Sequence, residues 1–191
     1  MGEIVVQAVY FDKPGSQNTL RTLEIAKRRA EELGIRNIVV ATTTGETGVL
    51  AARLFQGYNL VVVTHSTGFR KPDFQELTEE NRKAIEELGG RILTCVHAFG
   101  GIGRAIRRKL NTYQAEEIIA YALRIFGEGV KVAVEIAMMA ADAGLIRTDE
   151  EAIAIAGTGR GADTALVLRP AHTQSFFDLR ILEILAKPRL K

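Results

Sequence analysis

Residue types that often reveal a protein's chemistry are scarce in this sequence. Of 191 residues, one is cysteine, three are histidine and none is tryptophan. A single cysteine, Cys95, excludes a disulfide within the chain. It lies in the apolar segment "RILTCV", which predicts a buried and unreactive thiol. This cysteine usage is consistent with a reducing compartment, and we expect a cytoplasmic protein.

The sequence also has little excess charge. It contains 25 Lys and Arg residues against 23 Asp and Glu residues, a formal net charge of +2. Such a balance does not indicate a nucleic-acid partner, which would favour a clustered basic face. The one dense basic cluster comprises Arg104, Arg107, Arg108 and Lys109. Both a solvated helix face and a contact with an anion are consistent with it.

No apolar run has the length of a membrane span. The N-terminal segment "MGEIVVQAVYF" has an acidic residue at position 3 and only a short apolar run, so it does not resemble a signal peptide. The most apolar segment, "VKVAVEIAMMAADAGL", is interrupted by Lys131, Glu135 and Asp142. We interpret it as a core helix and expect no contact with a membrane.

Two common nucleotide-binding motifs are missing or incomplete. No G-x-x-x-x-G-K-S/T segment exists, which excludes a P-loop. The segment "GTGRGA" (157–162) matches G-x-G-x-x-A, but a strand-like segment follows it where the motif requires a helix. Two interpretations remain for this segment, a plain hairpin turn and a glycine-rich turn that presents backbone amides and Arg160 to a ligand.

Strands and helices alternate along the chain. The composition is 47% hydrophobic and 25% charged, without repeats or a polar linker, and predicts one folded domain over residues 1–191. Strands are predicted at 4–10, 37–41, 59–65, 91–96, 151–156 and 164–170. Helices are predicted from Thr19, after an Asn18 N-cap, to Gly34, at 47–55, from a Thr78 cap to Gly89, at 113–126 and at 129–143.

This alternation predicts a three-layer α/β/α sandwich. The strand segments are rich in Val and Ile without clean alternation, which is typical of parallel strands buried on both faces. The last two predicted strands are joined only by "GTGRGAD". A parallel return needs a much longer crossover, so this pair must be antiparallel. We therefore predict a mostly parallel sheet with an antiparallel strand at one end.

Ligands of such sheets bind at the carboxyl ends of the strands. Four loops rich in Gly, Thr and His follow predicted strands and are expected to meet at that edge. We expect the ligand-binding residues to be Thr42, Thr43, Thr44, Gly45, Glu46, Thr47 and Gly48 in the first loop, His65, Ser66, Thr67, Gly68 and Phe69 in the second, His97 and Phe99 in the third, and Gly157, Thr158, Gly159 and Arg160 in the fourth.

The first loop, "TTTGETG", has the chemistry of an anion site. It opens a predicted helix, whose first amides have no intrahelical partners and whose dipole favours negative charge. Threonine hydroxyls add further donors, so a phosphate would suit the loop. The alternative is that Thr44 merely caps the helix. Glu46 disfavours a very anionic ligand, unless its carboxylate points away or binds a sugar hydroxyl.

The sequence contains three histidines, His65, His97 and His172. The first two follow predicted strands at the expected ligand edge. Ligand contact, acid–base catalysis and structural hydrogen bonding all remain open for them. No spacing of His, Cys, Asp or Glu resembles a metal-ligand motif, so we expect no metal.

The segment "IVVATTTGETGVLAARLFQGYNLVVVTHS" resembles the C-terminal α/β domain of pyruvate kinases, where a strand ends in a Thr/Ser-Gly loop and a helix follows. "VKVAVEIAMMAADAGLI" and "EAIAIAGTGRG" resemble the last helix and closing strand of that domain. Nothing resembles the catalytic barrel of the kinase, and "HAFGGIGRAIRRKLNTYQ" has no clear counterpart. The resemblance therefore implies a stand-alone relative without kinase activity.

This resemblance also implies a ligand. In many pyruvate kinases the Thr/Ser-Gly loop holds a phosphate of a sugar bisphosphate effector, and the matching positions are Thr42 to Thr47. Among stand-alone relatives it implies flavin mononucleotide (FMN), with His65, Phe69, His97 and Phe99 flanking the ring. Two alternatives remain: a regulatory module that oligomerises, with apolar surface on the 129–144 helix, and a phosphatase- or isomerase-like enzyme that uses His65 or His97. We expect a homo-oligomer.

Overall fold

The structure, a computed structural model, describes residues 2–189. The predicted domain of 1–191 thus includes three residues outside the described part. The strands are β1 (Val9–Phe11), β2 (Asn37–Ala41), β3 (Asn59–Val63), β4 (Arg91–Leu93), β5 (Ala152–Ala156), β6 (Thr164–Arg169) and β7 (Arg180–Pro188). The α-helices are α1 (Thr19–Leu33), α2 (Glu46–Leu54), α3 (Glu79–Glu87), α4 (Ile102–Leu110), α5 (Ala115–Arg124) and α6 (Glu128–Asp142). Two 3-10 helices span Ser16–Asn18 and Thr173–Asp178.

The seven strands form one mixed sheet in the order β1-β7-β6-β5-β2-β3-β4. Strands β5, β2, β3 and β4 are parallel neighbours. Strand β6 runs antiparallel to β5, with Ala152 opposite Leu168 and Ala156 opposite Thr164. The mostly parallel sheet and the antiparallel pair joined by the short glycine-rich loop are therefore confirmed. Strands β7 and β1, the latter parallel to β7, extend the sheet beyond β6.

Helices cover both faces of the sheet, which confirms the three-layer architecture. Ile38 and Val40 of β2 pack in one core with Leu23 of α1 and Phe55 at the end of α2. Val39, between them, packs on the opposite face with Met138 of α6. Because successive side chains of a strand point to opposite faces, both faces of β2 need apolar residues. This explains why the strand segment lacks alternation.

Several helix ends agree with the sequence prediction. Gly34 has a left-handed conformation (φ 69°) after α1, and the Thr78 hydroxyl accepts a hydrogen bond from the Asn81 amide at the start of α3. Asn18 does precede α1, but its side chain donates to the Lys13 carbonyl instead of capping the helix. The reason is the 3-10 turn Ser16–Asn18, which already places Asn18 in a helical conformation.

Other boundaries differ from the prediction. The first strand was predicted over 4–10 but covers only Val9–Phe11, at the sheet edge, where it pairs with the last three residues of β7. The sequence prediction did not include β7. The predicted core helix at 129–143 is confirmed as α6, in which 12 of 15 residues are buried. The expectation of an exposed apolar surface on this helix is therefore wrong, because α6 packs directly against the sheet.

No helix within residues 2–189 combines the length and the apolar character needed to cross a membrane.

Candidate functional site

A cavity of about 740 Å³ opens at the carboxyl ends of β2, β3 and β5. Its walls come from the start of α1, the β2–α2 loop, the end of β3 and the loops after β3 and β4. One side of α6, Arg104 of α4, Arg124 of α5 and the glycine-rich loop before β6 complete the lining. The predicted site residues that line it are Thr42, Thr43, Thr44, Glu46, Thr47, His65, Phe69, His97, Gly157, Gly159 and Arg160. The topology thus brings all four predicted loops to one edge, although Gly45, Gly48, Ser66, Thr67, Gly68, Phe99 and Thr158 do not belong to the lining.

The first predicted loop, residues 42–48, is called the threonine loop below. Its hydroxyl groups have two different roles. Thr42 Oγ1 accepts hydrogen bonds from the amides of Gly45 (3.2 Å) and Gly48 (3.4 Å), so Thr42, and not Thr44, closes the N-terminus of α2. Thr43, Thr44 and Thr47 also line the cavity. Within residues 2–189 no hydrogen bond engages their hydroxyl groups, which leaves them available to a ligand together with the first amides of α2.

Gly45 sets the path of this loop. Its φ is 106°, a left-handed conformation that favours glycine. A Cβ atom at this position would lie 2.4 Å from Asn81 Cβ and 2.7 Å from Leu77 Cδ1. The Thr44 carbonyl accepts from the Asn81 side chain (2.9 Å) and from the Thr78 amide (3.2 Å). Hydrogen bonds from the start of α3 therefore hold the loop in place.

Three aromatic rings meet at another wall of the cavity. Phe69 and His97 are stacked, with ring centroids 5.0 Å apart and planes inclined by 10°. His65 lies 4.2 Å from Phe69 and 5.4 Å from His97. The Arg104 guanidinium lies 5.2 Å above the Phe69 ring. These three rings, called the aromatic cluster below, come from the loops after β3 and β4.

A carboxylate outside the cavity lining orients His65. Glu76 Oε2 lies 2.6 Å from His65 Nδ1, and Arg70 Nε lies 3.2 Å from the other oxygen. Burial opposes ionisation of Glu76, but the hydrogen bond to His65 and the charges of His65 and Arg70 outweigh it and lower the pKa. Sequence analysis missed Glu76, which lies on the irregular segment before α3.

His97 is uncharged at neutral pH. Burial, together with the positive charges of His65, Lys131 and Arg104, lowers its pKa to about 4, although Glu135 opposes the shift. The Ser66 amide donates to His97 Nε2 at 3.4 Å. Nε2 is therefore an acceptor and the proton of the neutral ring is on Nδ1.

Phe99 does not flank the cavity as predicted. Its side chain is buried in the core on the α6 face of the sheet, and its ring packs edge-to-face against Phe176 at 5.9 Å. The Phe99 amide donates to Glu135 Oε1 (3.0 Å), which pulls this part of the loop onto α6. The position of this ring depends on a tertiary contact that the loop sequence does not reveal.

Two charged residues of α6 line the cavity and were not predicted as site residues. Lys131 Nζ donates to Glu135 Oε2, and both side chains are at least 94% buried, with relative exposures of 6% and 4%. The sequence did contain a signal for these residues, since two opposite charges stand four residues apart within an otherwise apolar helix. Sequence analysis interpreted them only as interruptions of a hydrophobic segment.

The glycine-rich loop is fixed to the start of α1. The fully buried Asp163 carboxylate accepts from the amides of Gly15 (3.0 Å) and Thr158 (3.1 Å) and from the Thr164 hydroxyl (2.8 Å). Gly161 has φ 71°, and a Cβ atom there would lie 2.5 Å from Ser16 Cα. Asp163 therefore positions the loop, a role that sequence analysis did not assign.

The third histidine lies elsewhere. His172 Nδ1 is 3.2 Å from Asp142 Oδ1, and His172 does not line the cavity. In the part of the chain that the structure describes, no group of three or more His, Cys, Asp or Glu side chains is arranged to hold a metal ion.

The chain is similar to one family model and to several solved structures. The family model described as "Pyruvate kinase, alpha/beta domain" matches residues 20–168. Two solved structures of Cryptosporidium parvum pyruvate kinase, one of them in complex with ADP, match at 16% sequence identity and a TM-score of 0.37. The alignments cover 88% and 83% of this chain but only 23% of each of those chains. This chain thus corresponds to less than a quarter of their length.

Proposed function

The chain belongs to the pyruvate kinase α/β domain family, and from this premise we propose that it binds a phosphorylated small molecule, flavin mononucleotide, in the cavity at the carboxyl edge of the sheet. One observation carries the proposal: a single cavity has three threonines beside a helix N-terminus, with no hydrogen bond to their hydroxyl groups among residues 2–189, in one wall and flat aromatic rings in another. FMN has a phosphate and a planar ring joined by a hydroxylated chain, which fits this distribution of groups.

The threonine loop would hold the phosphate. Thr43, Thr44 and Thr47 present hydroxyl donors, and the N-terminus of α2 adds amides and a favourable dipole. Arg160 lines the same cavity and supplies a positive charge. Glu46 is exposed and also lines the cavity, where its carboxylate would accept from the hydroxyl groups of the ribityl chain.

The aromatic cluster would pack against the isoalloxazine ring. Neutral His97 suits contact with an uncharged ring better than a charged imidazolium would, because it carries no ion to desolvate. When bound, a flavin supplies the capacity to exchange electrons or hydride with a second substrate. We propose that these 191 residues have no pyruvate kinase activity, because their sequence does not resemble the catalytic barrel of those kinases.

A titration with FMN and with riboflavin, which lacks the phosphate, tests this proposal. We expect FMN to bind more tightly than riboflavin and to show an altered visible spectrum. The variant Thr44→Ala/Thr47→Ala should lose about tenfold in FMN affinity for each hydrogen bond to the charged phosphate. Its riboflavin affinity should not change. Thr112→Ala, in an exposed loop outside the cavity, is the matched control.

Two results would contradict the proposal. A protein that stays colourless and shows no flavin fluorescence change with excess FMN does not bind this ligand. Equal losses of FMN and riboflavin affinity in the double variant would mean that the threonines do not contact the phosphate.

A second candidate function is acid–base catalysis on a phosphorylated substrate. The observation that favours it is the Glu76–His65 hydrogen bond of 2.6 Å, with His65 lining the cavity. A carboxylate that orients an imidazole at a cavity wall is a common arrangement for proton transfer. Phosphate release or isomerisation from a panel of sugar phosphates, lost in His65→Gln, would support it.

The third candidate is a regulatory module that self-associates. We propose a homo-oligomer because α5 and the residue that follows it expose large apolar side chains, Ile118 (60% exposed) and Ile125 (76%). Light scattering after size exclusion, with and without FMN, measures the assembly. Ile118→Glu/Ile125→Glu should reduce the mass to that of one chain. A wild-type protein that elutes as a monomer at all concentrations would contradict this candidate.

We propose that the protein acts in the cytoplasm and without a nucleic-acid partner. Arg104, Arg107 and Arg108 of α4 line a small pocket, described below, and the net charge of +2 is too small to indicate a nucleic-acid partner. The absence of a mobility shift with duplex DNA or RNA at low salt would agree with this proposal.

A further inference from the structure

A second, smaller pocket of about 200 Å³ lies between α4, α5 and the first turn of α6. It is lined by Phe99, Arg104, Arg107, Arg108, Glu117, Ala120, Tyr121, Arg124 and Lys131. Three of these side chains, Arg104, Arg124 and Lys131, also line the main cavity. The two spaces therefore share three basic side chains in their walls.

The charges around this pocket do not balance. Three of the five cationic side chains have carboxylate partners: Arg107 pairs with Glu117 (2.6 Å), Arg124 with Glu128 (2.6 Å) and Lys131 with Glu135. Within residues 2–189, Arg104 and Arg108 have no salt-bridge partner. Cations held around a confined space repel one another, and an anion in that space would relieve the repulsion.

We propose that this pocket, called the arginine pocket here, is a second phosphoryl-binding site that takes a phosphate or pyrophosphate group. Guanidinium groups present paired donors that match phosphate oxygens, and four of the five cations are arginines. A volume of about 200 Å³ is large enough for such a group. The threonine loop and the arginine pocket would hold two separate anionic groups.

The phosphoryl group can belong to the molecule in the main cavity or to a second molecule. Which molecule enters the main cavity rests on the proposed function, whereas the affinity of the arginine pocket for a phosphoryl anion does not. A second molecule anchored in this pocket would extend past Arg104 toward the aromatic cluster, because Arg104 lines both spaces and stacks on Phe69. A flavin-bound protein would thus have a place for the phosphoryl-bearing partner of its reaction.

Isothermal titration with inorganic pyrophosphate tests the inference. The background is the Thr44→Ala/Thr47→Ala protein, in which the threonine loop is weakened. Arg108→Gln should reduce pyrophosphate affinity about tenfold, the effect of losing one charge-assisted hydrogen bond. Arg108 is exposed, so the variant should fold normally. Lys109→Gln removes the same charge from the next position on α4, outside the pocket lining, and should leave the affinity nearly unchanged.

Two outcomes would overturn the site: no measurable pyrophosphate binding at low ionic strength, or equal losses in Arg108→Gln and Lys109→Gln. A further titration uses wild-type protein saturated with FMN. Unchanged pyrophosphate affinity supports the site and assigns it to a second molecule, whereas competition supports it and assigns it to the ligand of the main cavity. If FMN does not bind at all, the proposed function fails while the comparison of the two variants still tests the arginine pocket.

Discussion

Lys131 and Glu135 lie one turn apart on α6 and form an ion pair in which both side chains are more than nine-tenths buried. The second oxygen of Glu135 accepts from the Phe99 amide at 3.0 Å, so the pair also attaches the loop after β4 to α6. Because both residues line the main cavity and Lys131 reaches the arginine pocket, this pair lies between the two proposed ligand sites. Burying either charge alone would be costly.

Lys131→Met should therefore destabilise the protein strongly. The variant leaves the Glu135 carboxylate buried with the Phe99 amide as its remaining donor, and such an unpaired charge costs about 3–5 kcal/mol. Lys131→Met/Glu135→Gln removes both charges and keeps an oxygen for the Phe99 amide, so it should recover most of that loss. Urea unfolding of the three proteins measures the difference. If the double variant is no more stable than Lys131→Met, the unpaired Glu135 carboxylate is not the cause of the destabilisation.

Gly45→Ala should reduce stability by about 3 kcal/mol or more, because both backbone strain and overpacking act at this position. The alanine Cβ would lie 2.4 Å from Asn81 Cβ at a φ of 106°. The matched control is Gly57→Ala, at φ 79° after α2, where nothing lies within 4 Å of the added Cβ. The control should lose only about 1–2 kcal/mol, the cost of a left-handed conformation. Equal losses in thermal or urea unfolding would mean that the contact with α3 is unimportant.

The sequence predicts the central elements of this fold because their signals are local. Strands β2, β3 and β5 are apolar on both faces, and turn residues flank each of them. The edge elements are set by pairing instead. Apolar residues from position 4 predict an early strand, but β1 pairs only with positions 186–188 of β7 and begins at Val9. The partly exposed side chains of β7 give a weaker strand signal.

The candidate site was predictable to a similar degree. Topology brings the ends of parallel strands together, which is why the threonine loop, His65 and His97 could be assigned to one edge from their positions alone. Residues that support the site were not predictable in this way. Glu76 and Asp163 act through hydrogen bonds to other segments of the chain, Glu76 to His65 and Asp163 to the Gly15 amide. Phe99 is held at the core by the hydrogen bond from its amide to Glu135 of α6.

Thr42→Val tests the division of the threonine loop into structural and ligand-binding hydroxyl groups. The substitution keeps the shape of the side chain but leaves the buried amides of Gly45 and Gly48 without their acceptor. We expect a loss of about 2–3 kcal/mol in unfolding free energy. Thr44→Val should change stability by less than about 0.5 kcal/mol, because Thr44 lines the cavity and no hydrogen bond within residues 2–189 engages its hydroxyl group. The opposite order of effects in urea unfolding would reassign the cap to Thr44.

His97 should make the stability of the protein depend on pH in the acidic range. Its pKa is about 4 in the folded protein against an ordinary value of 6.5. Between these values the unfolded chain binds a proton that the folded chain does not, so the unfolding free energy falls as the pH falls from 6.5 toward 4. The full difference corresponds to about 3 kcal/mol. Because the ring is partly exposed, we expect a loss of about 1–2 kcal/mol between pH 7 and pH 4.5.

The variant His97→Gln should remove this part of the pH dependence. Urea unfolding at pH 7, 5.5 and 4.5 gives the slope for each protein, and the comparison of slopes is independent of any change that the substitution itself makes to stability. His172→Gln is the control, since His172 is exposed and lies outside the cavity. Two results would contradict this role for His97: a slope of unfolding free energy against pH that is unchanged in His97→Gln, or a slope that is reduced equally in His172→Gln.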